Sequence, residues 1–301
     1  MRFVDEYRER FSVTDICHVL EFRQQTYFAA KKREREPSER AVRDAEILAE
    51  IHRLRAADRG RRRDYGARKM WRELLRAGVQ VGRGRVERLM RAHGLAGLVP
   101  IRRKPRTTVP GNEDRRPKDL VDRDFRAPAP NQLWVADITY VELAERGFCY
   151  VAFVTDVFSR AIVGWQVSDS LKTELALDAL EMALWNRRDR LSKALIHHGD
   201  RGVQYTALRY GERLAEAGIA QSVGSTGDSY DNALSESVNS LFKKELIGKY
   251  VWSDVSEVNR ETAEWVSWYN NERLHSWCGY RPPAEFERVF WEGRGQQLTA
   301  A

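Results

Sequence analysis

From Leu133 to Ser168 the chain passes through three β-rich stretches with almost nothing between them. Leu133 to Leu143 alternates apolar and polar residues, and Glu145-Arg146-Gly147 makes a turn. Phe148 to Phe158 is a second run, and Ser159-Arg160 turns into a third, Ala161 to Ser168. Connections this short join antiparallel neighbours, because a crossover to a parallel strand needs about a dozen residues. The stretch is therefore expected to fold as an antiparallel meander. Thr173 to Asn186 then reads as a helix carrying Leu175, Leu177, Leu180 and Leu184, and Ala194 to His198 as a short strand. Tyr205 to Ala217 reads as a helix stopped by Gly218, Ile219 to Val223 as a brief strand, and Gly224 to Tyr230 as a polar loop. Asp231 to Ile247 and Asp254 to Arg273 are two more helices. The order βββαβαβα predicts an α/β domain, a mixed sheet with helices on its faces.

The chain has 301 residues, of which 42% are hydrophobic and 32% charged, enough for a substantial core under a charged surface. No apolar run approaches the roughly 18 residues of a membrane span. The best candidate, Phe148 to Phe158, is too short and contains Asp156. The start, MRFVDEYRERF, is charged throughout and unlike a signal peptide. Cys17, Cys149 and Cys278 lie far apart and form no CxxC pair, which argues against a zinc ribbon or a disulfide framework. A cytoplasmic protein without membrane contact is expected.

Charge divides the chain in two. Residues 1–110 hold 28 Lys and Arg against 15 Asp and Glu, a net of +13, whereas residues 111–301 hold 23 against 29, a net of −6. A basic front suggests an anion-binding module, with nucleic acid the first candidate. That front reads as short helices. Ser12 caps one over Ile16, Val19 and Leu20, and a turn at Glu21 to Arg23 leads to another with Tyr27 and Phe28. Ser38 starts a longer helix through Ile47, Leu48, Ile51 and Leu54. A better helix pair follows. Met70, Trp71, Leu74 and Leu75 mark its first member, Gly78 and Gly82 bracket the turn, and Val86, Leu89 and Met90 mark the second, ended by Gly94. The second helix carries Arg83, Arg85, Arg88 and Arg91 mostly off the apolar stripe, as major-groove docking requires. The alternative is an ordinary solvated helical hairpin. Ile101 to Pro130, with Arg102, Arg103, Lys104 and several prolines, reads as an extended basic linker and phosphate-contacting arm.

Three acids stand apart from the other 41 by position. Asp137 lies inside the first strand, where a charge is costly without a partner or a task. Asp200 directly follows the strand Ala194 to His198, and ligands of open α/β sheets collect beyond strand carboxyl ends. Asp137 joins it only if the first strand is central and adjacent. Glu236 sits one turn into the helix after the polar loop. Converging carboxylates repel unless a cation lies between them, and oxygen-only donors select Mg²⁺ or Mn²⁺ over zinc. Such a site, with two ions once DNA is bound, suits in-line phosphoryl transfer. The competing reading is three ordinary acids.

The motifs around these acids are similar to a known group. NQLWVADITYVELAERGFCYVAFVTDVFSRAIVGW, HHGDRGVQY and SVGSTGDSYDNALSESVNSLFKKEL resemble the three acid-bearing segments of insertion-sequence transposases with a retroviral-integrase-like, RNase H-like core. Between Asp200 and Glu236 lie 35 residues, the spacing of this acidic-triad group, and WYNNERLHSWCGYRPPAEFE resembles its closing motif. The basic front resembles the helix-turn-helix preface of the second reading frame in two-frame bacterial insertion sequences. The resemblance implies an RNase H-like mixed-sheet catalytic domain behind a small all-α helix-turn-helix region. The divisions expected are a helical segment 1–36, a DNA-binding domain 37–100, a linker 101–130, a catalytic core 131–290 and a tail 291–301.

The same resemblance makes Asp137, Asp200 and Glu236 the metal ligands and Lys243 a contact to the DNA end. It makes His198, Gln204, Tyr205, Tyr230 and Asn232 supporting residues. Trp134 matches a motif position but reads as core packing. His198 has two open readings, a hydrogen bond near the site or closure of the strand. Asp231 or Asn232 would cap the helix of Glu236, and Tyr269, Asn270, Arg273 and Tyr280 would support the site. This sequence departs from the pattern at Gly199, where serine is usual, and at Trp277 and Cys278, where small and aliphatic residues are usual. Cys17, His18, His52 and His93 lack the paired spacing of the integrase zinc module.

A transposase is thus expected, cutting double-stranded DNA at the element's terminal repeats and transferring the freed 3′-hydroxyl to target DNA, as a homo-oligomer at the nucleoid. With no sustained heptad in this chain, an upstream-frame protein is an expected partner. The second hypothesis is a DNA-binding regulator with an idle catalytic domain. A third, an RNase H-like nuclease on RNA–DNA hybrids, fits the DNA-reading front poorly.

Overall fold

A computed structural model describes residues 1–98, 119–121, 124–145, 147–200, 202–224 and 233–299, with side chains as far as residue 294 except at 233. The chain forms two units, Met1–Pro100 and Ile101–Ala301.

The first unit is helical. α1 (Arg2–Tyr7), α2 (Val13–Val19) and α3 (Gln24–Arg35) bury Val4, Ile16, Cys17 and Tyr27 together. Ser12 caps α2 as expected, accepting from Asp15 N at 3.1 Å. α1 carries no cap or apolar period that would announce it. It is held by Asp5, which takes hydrogen bonds from Tyr27 (2.8 Å) and an ion pair from Lys31 (2.7 Å) across the cluster. α4 (Glu39–Ala56), capped by Ser38, packs against both α5 (Ala67–Arg76) and α6 (Arg83–Ala92). Ile47, Ile51, Met70, Leu74, Val86 and Leu89 are buried, so the apolar stripe read from the sequence is the core. Gly78 at φ +82° ends α5 in the left-handed conformation that glycine tolerates without strain, and this sets the turn into α6.

The second unit is built on a five-stranded sheet. β1 (Leu133–Glu142), β2 (Phe148–Asp156) and β3 (Ile162–Ser168) form the antiparallel meander. α7 (Thr173–Arg187) crosses to β4 (Ile196–Gly199), which lies parallel to β1. α8 (Val203–Thr206) and α9 (Leu208–Glu216) then lead to β5 (Ala220–Val223), parallel to β4. The strand order β3-β2-β1-β4-β5 puts β1 in the centre. One face packs Trp134, Ala136, Ala152 and Val163 against Leu175, Ala179, Leu180 and Leu214. Gly164 lets α7 come close: a Cβ there would collide with the Ala179 carbonyl. On α10 (Ala233–Glu245) and α11 (Val255–Asn271), Phe242 and Trp265 meet Phe153 of the sheet at ring distances of 5.1 and 6.0 Å. α12 (Pro283–Thr299) closes the unit.

One expectation needs correction. The helix expected over Tyr205 to Ala217 is two helices, because Ala207 is extended and Gln221 of β5 takes the Tyr205 carbonyl at 2.7 Å. α12 runs from the expected core into the expected tail, with Arg288 and Glu292 paired at 2.7 Å across that division. Within the expected linker 101–130, Val121 packs with Leu133, Val135 and Phe125. Arg102, Arg103, Lys104, Tyr230, Asp231 and Asn232 lie outside the described residues.

Candidate active site

The register of the central strands brings the first two acids together. β1 and β4 pair in parallel up to Ala136 opposite Gly199, and one further step of that register sets Asp137 opposite Asp200. Adjacent strands lie about 4.8 Å apart, and opposed residues of a parallel pair point to the same side. Both acids line one open cavity of about 190 Å³, with Thr139, Tyr140, Leu171, Gln204 and Tyr205. The condition set by the sequence, a central first strand beside the fourth, is met.

Asp137 accepts from Ile138 N at 2.9 Å and from Asn239 Nδ2 of α10 at 2.8 Å. Burial, then the charge of Asp200 and more weakly that of Glu236, push its carboxyl up to about 7 against these two hydrogen bonds. Burial also raises Asp200, whose Oδ1 accepts from Gly202 N at 2.8 Å. Glu236 is exposed on the first turn of α10, within electrostatic reach of Asp137. Among the described residues, no three acids, histidines or cysteines stand close enough to form a complete metal cage. Seven residues beyond Glu236, Lys243 places its ammonium 4.0 Å from the Tyr140 ring centre, and burial lowers its pKa. Sequence reasoning missed Asn239 and Tyr140. The signal for Asn239 was its position three residues after Glu236, one turn along the same helix face.

The residues expected to support the site divide. Gln204 lines the cavity and donates to Leu171 O at 2.8 Å. Tyr205, buried on the cavity wall, lays its ring over Gly199, where any side chain would have to displace it. The glycine that departs from the usual serine is thus matched to its neighbour. His198 bonds Ser222 Oγ at 2.9 Å and meets the Phe125 ring edge-on, so it fastens the segment before β1 while staying within electrostatic reach of Asp200. Trp134 is core, with Nε1 on Asn131 at 3.3 Å. The closing motif braces the sheet. Asn270 pairs both its amide groups with the backbone of Ile162, at 2.9 and 2.8 Å. Arg273 makes a buried ion pair with Glu245 at the end of α10, 2.6 Å at its shortest, beside Tyr269. Trp277 and Cys278 donate to the carbonyls of Phe158 and Ser159, so these two departures pin the β2–β3 turn. Tyr280 takes a left-handed φ of +62° where the chain turns towards α12.

In the first unit, Arg85 and Arg88 of α6 both bind Asp44 of α4 at 2.7 Å, and Arg83 pairs with Glu87 at 3.1 Å. Two arginines expected to face DNA therefore also hold the three-helix core together. Arg91 is exposed.

Integrase core domain models match residues 127–229 and 217–283, and an HTH-like domain model matches residues 42–105. A transposase for insertion sequence element IS629 of Shigella sonnei is 44% identical over 304 residues, covering all of both chains. The chain belongs to the insertion-sequence transposases. A Mycobacterium tuberculosis protein named for insertion sequence element IS986/IS6110 is 49% identical over 265 residues, 86% of this chain and 93% of that one. Among solved structures, the catalytic core of HTLV-2 integrase in complex with magnesium is 17% identical, covers 54% of this chain and 99% of that one, and has a TM-score of 0.43. The protein is accordingly a DNA transposase, a polynucleotidyl transferase with an RNase H-like core and a helix-turn-helix-type DNA-binding region. No helix among the described residues is long and apolar enough to cross a membrane.

Proposed function

We propose that Asp137, Asp200 and Glu236 are the catalytic carboxylates of this transposase, and that they hold divalent cations, Mg²⁺ or in its place Mn²⁺. The observation that carries this is the register: the central strand and its parallel neighbour deliver two acids to one cavity, next to the helix that bears the third. The donor set fits. It is oxygen-only and hard, and its mutual repulsion calls for positive charge between the acids. Bound ions, two when DNA is present, would activate the attacking oxygen and stabilise the leaving one. The protein's own residues do the rest. Asn239 and the Ile138 amide orient Asp137. Gln204 and Tyr205 shape the wall, and Lys243 offers a cation to the DNA end. Tyr230 and Asn232 would support the loop that leads to Glu236.

In this reading, water frees a 3′-hydroxyl at the element's end, and that hydroxyl attacks a second phosphodiester in line, with no covalent protein intermediate. Arg83, Arg85, Arg88 and Arg91, with Arg102, Arg103 and Lys104, grip double-stranded DNA at terminal repeats and target. The enzyme works in the cytoplasm as an oligomer on DNA, joined by an upstream-frame protein.

The test is the full chain incubated with Mg²⁺ and a duplex carrying an element end. A nick that leaves a 3′-hydroxyl at the end, followed by joined products, is expected. End binding without any cleavage, with or without an upstream-frame protein, would replace this reading with a regulatory one.

A further inference from the structure

Near the end of β1 and the start of β2 the sheet leaves two large aromatic side chains in solvent. Tyr140 is 57% exposed and Phe148 46%, whereas Trp134 and Phe153 of the same strands are buried to 2% or less. The two exposed rings meet edge to face, with centres 5.5 Å apart and planes at 89°. They stand at the acid site. Tyr140 lines the cavity that holds Asp137 and Asp200, and the Lys243 ammonium rests 4.0 Å from the centre of its ring. An exposed π-face, a half-buried ammonium resting on it and two carboxylates therefore lie side by side.

These three chemistries match one ligand. A nucleic-acid strand presents flat bases, anionic phosphates and the phosphodiester to be cut, repeating at short intervals along one chain. Bases inside an intact duplex stack on each other and offer a protein ring no face. An unpaired base does, and aromatic side chains hold such bases with little sequence preference. A lysine ammonium binds a ring face and a phosphate by the same electrostatics.

We propose that Tyr140, backed by Phe148, is a stacking seat for an unpaired base beside the scissile phosphate, and that Lys243 swings from the ring to the flanking phosphate when the base arrives. The inference rests on the acid site being the place where the DNA end is cut. It assigns the opening of the duplex end to the protein surface next to the carboxylates. The occupant is the DNA end itself and not a second protein.

A cycle of protein and DNA changes tests this. The full chain is used with Asp137→Asn as background, so that binding is read without cutting. The loss of cutting in that variant reports separately on the acid-site reading. End affinity is measured by fluorescence anisotropy for Tyr140, Tyr140→Phe and Tyr140→Leu. Each is tested against an intact end and against ends with one abasic position moved through the nucleotides flanking the cleavage point. Tyr140→Leu is expected to weaken binding on the order of tenfold, and Tyr140→Phe much less. At one position, removing the base should cost about as much, and both changes together no more than one alone. Losses that multiply at every position would overturn the proposal. So would unchanged affinity in Tyr140→Leu, whether or not its oligomeric state shifts. If Asp137→Asn still cuts, the acid-site reading fails while the cycle still reports on the stacking seat.

Discussion

Replacing Asp137 with asparagine should stabilise this protein at alkaline pH and leave it nearly unchanged in acid. Asp137 titrates near 7 in the folded chain instead of near 3.8, chiefly because it is buried and faces Asp200. The folded state therefore binds more protons than the unfolded state between these values. Stability present below the ordinary carboxyl value is lost as pH rises through the folded one, at about 1.4 kcal/mol per pH unit. Across this window the loss reaches about 4 kcal/mol by pH 8 in the absence of divalent cations. Asparagine keeps the shape and carries no charge: its Oδ1 can still accept from Ile138 N, and its Nδ2 can donate to the Asn239 amide oxygen once that amide turns over. Urea titrations read by tryptophan fluorescence isolate the relevant unit, since eight of the nine tryptophans lie beyond residue 100. The gap between variant and parent should open from near zero at about pH 4 to several kcal/mol at about pH 8, in the variant's favour. Mg²⁺ should close it by stabilising the parent alone. A gap that stays flat across this range, or an asparagine variant less stable at pH 8, would show that the folded chain does not hold the Asp137 proton in this way.

Three further outcomes follow from the packing and the charges. Arg273→Met strands the Glu245 carboxylate in the interior and should cost about 3–5 kcal/mol in urea titrations, with Arg273→Met/Glu245→Met recovering most of the loss. Gly164→Ala drives a methyl into the Ala179 carbonyl and should destabilise by about 1–3 kcal/mol by the same measurement, without changing end affinity in the first unit. Lys243→Gln should weaken end binding and lower the slope of log affinity against log salt by about one, the signature of one phosphate contact.

Much of the catalytic unit was legible because its signals are local. The short turns fixed the meander, and Asp200 followed directly from its place at a strand end. That Asp137 reaches the same cavity depends on β1 lying between β2 and β4, a long-range pairing that no local pattern encodes. The break at Ala207 was hidden for the same reason, since the group that claims the Tyr205 carbonyl comes from β5. Val121 read as linker because its apolar neighbours, Leu133 and Val135, are distant along the chain. The arginines of α6 show the limit of charge counting: composition marked Arg85 and Arg88 as a basic face, but Asp44, some forty residues earlier, holds both. Trp277 and Cys278 stood out from the pattern in a way that bears on loop packing, and the β2–β3 turn they pin lies some 119 residues earlier, out of reach of any local reading.

Asp137, Asp200 and Glu236 are tested together by Mg²⁺-dependent cleavage of an end-containing duplex with Asp137→Asn, Asp200→Asn and Glu236→Gln. Each variant should bind the end with close to parental affinity and release no 3′-hydroxyl product. Cleavage retained in any one of them would contradict the assignment of that residue, and retained in all three, the account of the site.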